Sequence, residues 1–74
     1  MPRLPAVRGE HLVKALEREG FRLAQVAGSH HILRHPDGRG TTVPVHRSRE
    51  VAKGTLRSIL NDAGLTVEDL ERLL

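Results

Sequence analysis

One aromatic side chain, Phe21, in a chain of 74 residues without cysteine is the tightest constraint on what this sequence can fold into. With no disulfide and almost no large rings, the interior has to be filled by Leu, Val and Ile from every element at once. A chain this short closes only one such core. The sequence therefore reads as a single domain over residues 1–74. Residues 1–7 are expected to be flexible, because Pro2 and Pro5 keep them extended and no periodic pattern begins before Arg8. No apolar run is long enough to span a bilayer, and Met1-Pro2-Arg3-Leu4-Pro5 lacks the apolar stretch of a signal peptide. The expected location is the cytoplasm, whose reducing conditions fit the absence of cysteine.

The apolar pattern changes period along the chain. Leu12, Val13, Ala15 and Leu16 make one helical stripe between Glu10 and Glu19, stopped by Gly20. Phe21, Leu23 and Gln25 then alternate with Arg22, Ala24 and Val26, which predicts a strand with Phe21 and Leu23 turned inward. Ala27-Gly28-Ser29 is a turn, His31–His35 a second strand, and Pro36-Asp37-Gly38-Arg39-Gly40 a hairpin turn returning into Thr41–His46. Pro44 cannot donate to a ladder, so it marks an edge or a bulge. Leu56, Ile59, Leu60 and Ala63 recur at i, i+3, i+4 and i+7, the spacing of an amphipathic helix ending at Gly64, and Thr66 with Asp69 resembles the capping box of a short last helix. Helix, three strands, helix with short connections implies an α+β domain: an antiparallel sheet with both helices on one face and the other face open.

Charge is concentrated in the middle. From Arg22 to Arg57 seven Lys or Arg face only Asp37 and Glu50, a local charge of +5, while the whole chain carries +3. Four of the five histidines, His30, His31, His35 and His46, lie in the same stretch. A polyanion would be drawn there, although a solvated basic surface is the plainer account of charge alone.

Three groupings could carry chemistry. Gly28-Ser29-His30-His31 delivers adjacent histidines to the start of a strand. An imidazole with an ordinary pKa of about 6.5 can take a proton near neutrality and give one back. RNA cleavage asks for little more, because the ribose 2′-hydroxyl is a built-in nucleophile and cationic side chains can steady the phosphoryl oxygens. Ser29 could contact phosphate, or simply serve the turn. Alternation puts neighbouring strand residues on opposite faces, so only one of the two histidines can serve a given site, and either could be an ordinary strand residue. A metal site built from His30, His31, His35 and His46 is disfavoured because no carboxylate or thiol accompanies them. Around the start of the second helix, Arg47, Arg49, Lys53 and Arg57 could hold a phosphate, with Arg57 lying along its helix as the plainer alternative; base-stacking aromatics are lacking.

Gly28-Ser29-His30-His31-Ile32-Leu33-Arg34-His35-Pro36-Asp37-Gly38, then Val43-Pro44-Val45-His46, then Lys53–Leu65 follow in the order of, and closely resemble, the HicA (YcfA-like) toxin family. The likeness spans Leu12 to Leu65. It implies a fold like the double-stranded RNA-binding domain. It further implies a messenger-RNA endonuclease of a type II toxin–antitoxin module, acting without metal or cofactor and neutralised by a HicB antitoxin that covers its histidine. The family's catalytic histidine falls on His30, with His31 as fallback. On that reading Arg34, Arg39, Arg47, Lys53 and Arg57, with Ser29, bind and position the RNA. The rivals are a non-catalytic RNA-binding module on the same fold and a pure protein-interaction domain.

Overall fold

The computed structural model describes residues 3–74, so Met1 and Pro2 lie outside the described residues. The elements run α1 (Gly9–Arg18), β1 (Arg22–Ala27), β2 (His30–Arg34), β3 (Gly40–Pro44), α2 (Lys53–Ala63) and α3 (Val67–Leu73). The three strands form one antiparallel sheet in the order β1-β2-β3. This is the arrangement of a double-stranded-RNA-binding-domain-like fold with an added short helix.

The core is one aliphatic cluster. Leu12 and Leu16 of α1, Leu33 of β2, Val43 of β3, Leu56, Ile59 and Leu60 of α2 and Leu70 of α3 are all buried in it, with Phe21 at its margin. Because α1 and α2 share that cluster with Leu33 and Val43, both helices cover the same face of the sheet. Alternation then assigns the faces. His31 and Leu33 of β2 pair with Val43 and Thr41 of β3 on the covered side. His30, Ile32 and Arg34 point to the other side, across from Pro44, Thr42 and Gly40. Thr41, buried among apolar groups, gives its hydroxyl proton to the Asp62 carboxylate of α2 at 3.1 Å, which fixes α2 against β3.

β1 departs from the pattern expected of it. Phe21, just before the strand, is buried as the alternation predicts, but Leu23 is 44% exposed. It faces the same way as its partner Leu33, but it sits on an edge strand, with no neighbouring strand on its outer side. A bulge between Leu23 and Gln25, where register slips by one, puts Val26 opposite His31 on this same side, also exposed.

The entry segment, read as flexible, holds core groups: Val7 is 4% exposed, its carbonyl accepts the Val51 N–H at 2.8 Å, and Arg8 bridges to Glu50. Leu4 packs against the cluster as well. The remaining punctuation follows the sequence. Gly64 ends α2 at φ 68, and Thr66 with Asp69 closes a full capping box on α3.

Candidate active site

The site is built on two tight connections. Ala27 pairs with His30, leaving Gly28 and Ser29 as the entire β1–β2 loop. Gly28 sits at φ 60, at the first central position, where glycine supplies the backbone that the turn needs. His30 is thereby the first residue of β2, exposed, on the uncovered face and in register with Pro44. Beyond the formal end of β3, Val45 donates its N–H to the Ser29 carbonyl at 2.6 Å, so the turn and the chain leading to His46 are locked together.

Gly9 holds this corner from behind. A Cβ there would stand 2.5 Å from the Pro44 carbonyl oxygen and 2.9 Å from Val45 Cα, so the start of α1 comes this close to β3 only as glycine. After Val45 the chain forms a loop in which the Arg49 backbone N–H donates to the His46 carbonyl at 3.0 Å and Ser48 takes φ 60, a left-handed conformation uncommon for a residue with a side chain. A concavity lies between this loop and α2, lined by Pro44, His46, Arg49, Glu50, Val51, Ala52 and Thr55. The first turn of α2 opens beside it with no side-chain cap and no acidic residue, leaving its N–H groups available to an anion.

The two histidines separate as alternation requires. His30 is open to solvent, whereas His31 lies on the covered side opposite Val43, half-buried, with its Nδ1 shut away without a partner. Ser29, half-buried, contributes its backbone carbonyl to the corner. His46 reaches the same corner along β3 and lines its concavity. His35 goes elsewhere. Its Nε2 lies 3.3 Å from the Glu19 carbonyl, its Nδ1 accepts the Asp37 N–H at 3.1 Å, and its ring meets Phe21 edge-on at 5.0 Å, so it ties the far hairpin to the end of α1. Among the described residues, no three His, Cys, Asp or Glu side chains are grouped to hold a metal ion.

The cationic residues named from sequence divide into three groups. Arg47 is exposed on the loop beside the His30 corner, next to Arg49 of the concavity. Arg34 is exposed at the other end of β2 and, with Ile32, Thr42 and Thr55, lines a groove at the edge of the sheet beside α2. Lys53 and Arg57, one turn apart, share a flank of α2. Arg57 lines a hollow there with Leu4 and Leu65, on the side of the helix away from that groove. Arg39 is committed to the fold. Its Nε gives 2.8 Å to Asp37, its Nη1 donates to the Ala63 carbonyl at 2.5 Å, and its guanidinium lies over Phe21 at 5.1 Å. The Asp37 carboxyl is held below its ordinary value, chiefly by the backbone N–H that Arg39 donates to it.

A model of the HicA toxin of bacterial toxin–antitoxin systems matches residues 9–65, most of the chain, from Gly9 behind the corner to Leu65 after α2. The chain belongs to the HicA toxin family. No curated protein matches it. Membership of the HicA family gives the protein a toxin role and an antitoxin as its partner. No helix among the described residues is long and apolar enough to cross a membrane.

Proposed function

We propose that this HicA-family protein is a cytoplasmic messenger-RNA endonuclease in which His30 is the general acid–base group and no metal takes part. The observation that carries this reading is the placement of His30: exposed on the uncovered sheet face, directly after the Gly28-Ser29 turn, in register with Pro44 and beside the Val45–His46 segment that leads into Arg47 and Arg49. His31, half-buried with one nitrogen closed off, is the weaker candidate.

In the proposed step, neutral His30 takes the proton of a ribose 2′-hydroxyl as that oxygen attacks the adjacent phosphorus and the bond to the 5′-oxygen breaks. The departing 5′-oxygen takes a proton from water, leaving a 2′,3′-cyclic phosphate and a 5′-hydroxyl, and His30 returns its proton to the hydroxide formed. Arg47, beside the His30 corner, and Arg34, Lys53 and Arg57 farther off bind the RNA backbone and position it, with Ser29 and the uncapped turn of α2 adding neutral donors. Arg39 supports this surface by bracing the β2–β3 hairpin against the end of α2. Because the reaction requires a 2′-hydroxyl, DNA is not a substrate. The antitoxin is of the HicB type and silences the protein by covering His30.

The test is cleavage of labelled RNA by purified His30→Ala protein. Loss of a general acid–base group costs about 10²- to 10⁴-fold in rate. Melting temperature and salt-dependent RNA binding are expected to stay as in the parent, and the parent activity to survive EDTA. Full activity in His30→Ala with loss in His31→Ala would move the role to His31. RNA binding without fragments from the parent protein would make it a binding module.

A further inference from the structure

Strand β1 is the one element whose every residue is exposed. It is an edge strand, so its outer backbone groups have no ladder partner, and it carries two of the three large hydrophobic residues left exposed among the described residues, Leu23 at 44% and Val26 at 52%. The bulge at Ala24 turns both to the same side of the strand. Its other side carries Arg22, which stands directly across from Arg34. Like charges directly opposite one another weaken a sheet, and among the described residues neither guanidinium has a carboxylate partner. The strand thus presents an apolar strip on one side, an unanswered pair of positive charges on the other, and an open row of hydrogen-bonding groups between them.

We infer that β1 is a docking edge for an extended segment of the antitoxin, added as a fourth strand, with apolar side chains over Leu23 and Val26 and acidic side chains against Arg22 and Arg34. The charge pattern selects this occupant. A second copy of the chain would bring one basic segment against another, and an RNA strand would leave Leu23 and Val26 uncovered with no Phe, Tyr or Trp in the strand for its bases to stack on. An acidic, apolar strand answers both sides at once, and strand addition supplies main-chain hydrogen bonds whatever its detailed sequence. Ala27 pairs with His30, so with strands about 4.8 Å apart the docked segment runs about 10 Å from His30, on the same sheet. The inference rests on membership of a toxin–antitoxin family and not on the cleavage chemistry, so either can fail alone.

The experiment titrates the isotope-labelled full chain with the five-residue peptide acetyl-Glu-Val-Glu-Leu-Glu-amide, using acetyl-Lys-Val-Lys-Leu-Lys-amide as control, and follows backbone amide resonances and their exchange with solvent. The acidic peptide is expected to shift the amides of Arg22–Ala27 and to bind at least about tenfold tighter than the basic one, as charge-assisted contacts to guanidinium require. Arg22→Glu is expected to reverse that preference. Leu23→Ser with Val26→Ser, both at exposed positions, is expected to abolish binding with melting and RNA affinity unchanged. Equal binding of the two peptides, shifts confined to the helices, or no shift at all would overturn the inference. So would shifts of β1 that grow with protein concentration in the absence of peptide, which would give the edge to a second copy.

Discussion

Replacing Gly9 by alanine sets two effects of known sign against each other. At an ordinary helical position the change stabilises by up to about 1 kcal/mol, because alanine is the better helix former. Here the new Cβ would meet the Pro44 carbonyl oxygen at 2.5 Å and Val45 Cα at 2.9 Å, both backbone atoms that cannot rotate away. Relief requires α1 and the end of β3 to separate by several tenths of an ångström, and overpacking of this kind costs about 1–3 kcal/mol. The clash outweighs the propensity gain, leaving a net loss of about 1–2 kcal/mol. In a domain of this size each kcal/mol lowers the melting temperature by about 4–8 °C. Thermal unfolding followed by circular dichroism measures the loss. RNA cleavage measured well below the melting transition is expected to fall as well, since Pro44 is the register partner of His30. A Gly9→Ala protein that melts at or above the parent temperature would show that α1 and β3 do not meet as described, and with that the account of how the corner is held would fall.

Arg39→Ala, by removing the donor to the Ala63 carbonyl and the partner of Asp37, is expected to cost about 1–3 kcal/mol in urea unfolding, with lost RNA affinity appearing only alongside that loss. Thr66→Ala removes the hydroxyl that caps Asp69 N–H and is expected to cost about 1 kcal/mol, read as a lower urea midpoint. The carboxyls of Asp37 and Asp69 are both held below their ordinary value of 3.8, first by the backbone N–H of Arg39 and of Thr66 respectively. Their contribution to stability is therefore present above that value and lost as pH falls through the lower folded-state values, so urea midpoints should drop below about pH 4 and drop less in Asp37→Asn.

The helices and the two hairpins were legible because their signals are local: the stripe of Leu12, Leu16 and Ala15, the Gly28 and Pro36–Gly40 turns, and the Thr66 cap all act within a few residues. Leu23 departs from the expectation because alternation reports which way a side chain points and not how completely it is covered; the residue faces the covered side but stays 44% exposed on an edge strand. Val7 is illegible in the sequence for the opposite reason. A lone valine among prolines has no periodicity, and only its pairing with Val51 some forty residues on puts it in the core. At the site, the sequence held the histidine turn but left open which face was uncovered. Leu33 and Val43 decide it, because they are the buried members of their strands and so send His30 the other way. Gly9 carried a usable signal, a glycine at the first turn of a helix, whose reason is visible only with Pro44 against it. Arg39 looked like any other cation of the basic segment because its partners, Ala63 and Phe21, come from opposite directions along the chain.

The loop before His30 is two residues long, with a hydrogen bond from Val45 across its back. Such a connection leaves little slack in the backbone that carries the imidazole. On the proposed role of His30, a group mounted this stiffly would be competent as soon as the sheet forms. The restraint would then fall to the antitoxin that the family implies, and would last as long as that partner does.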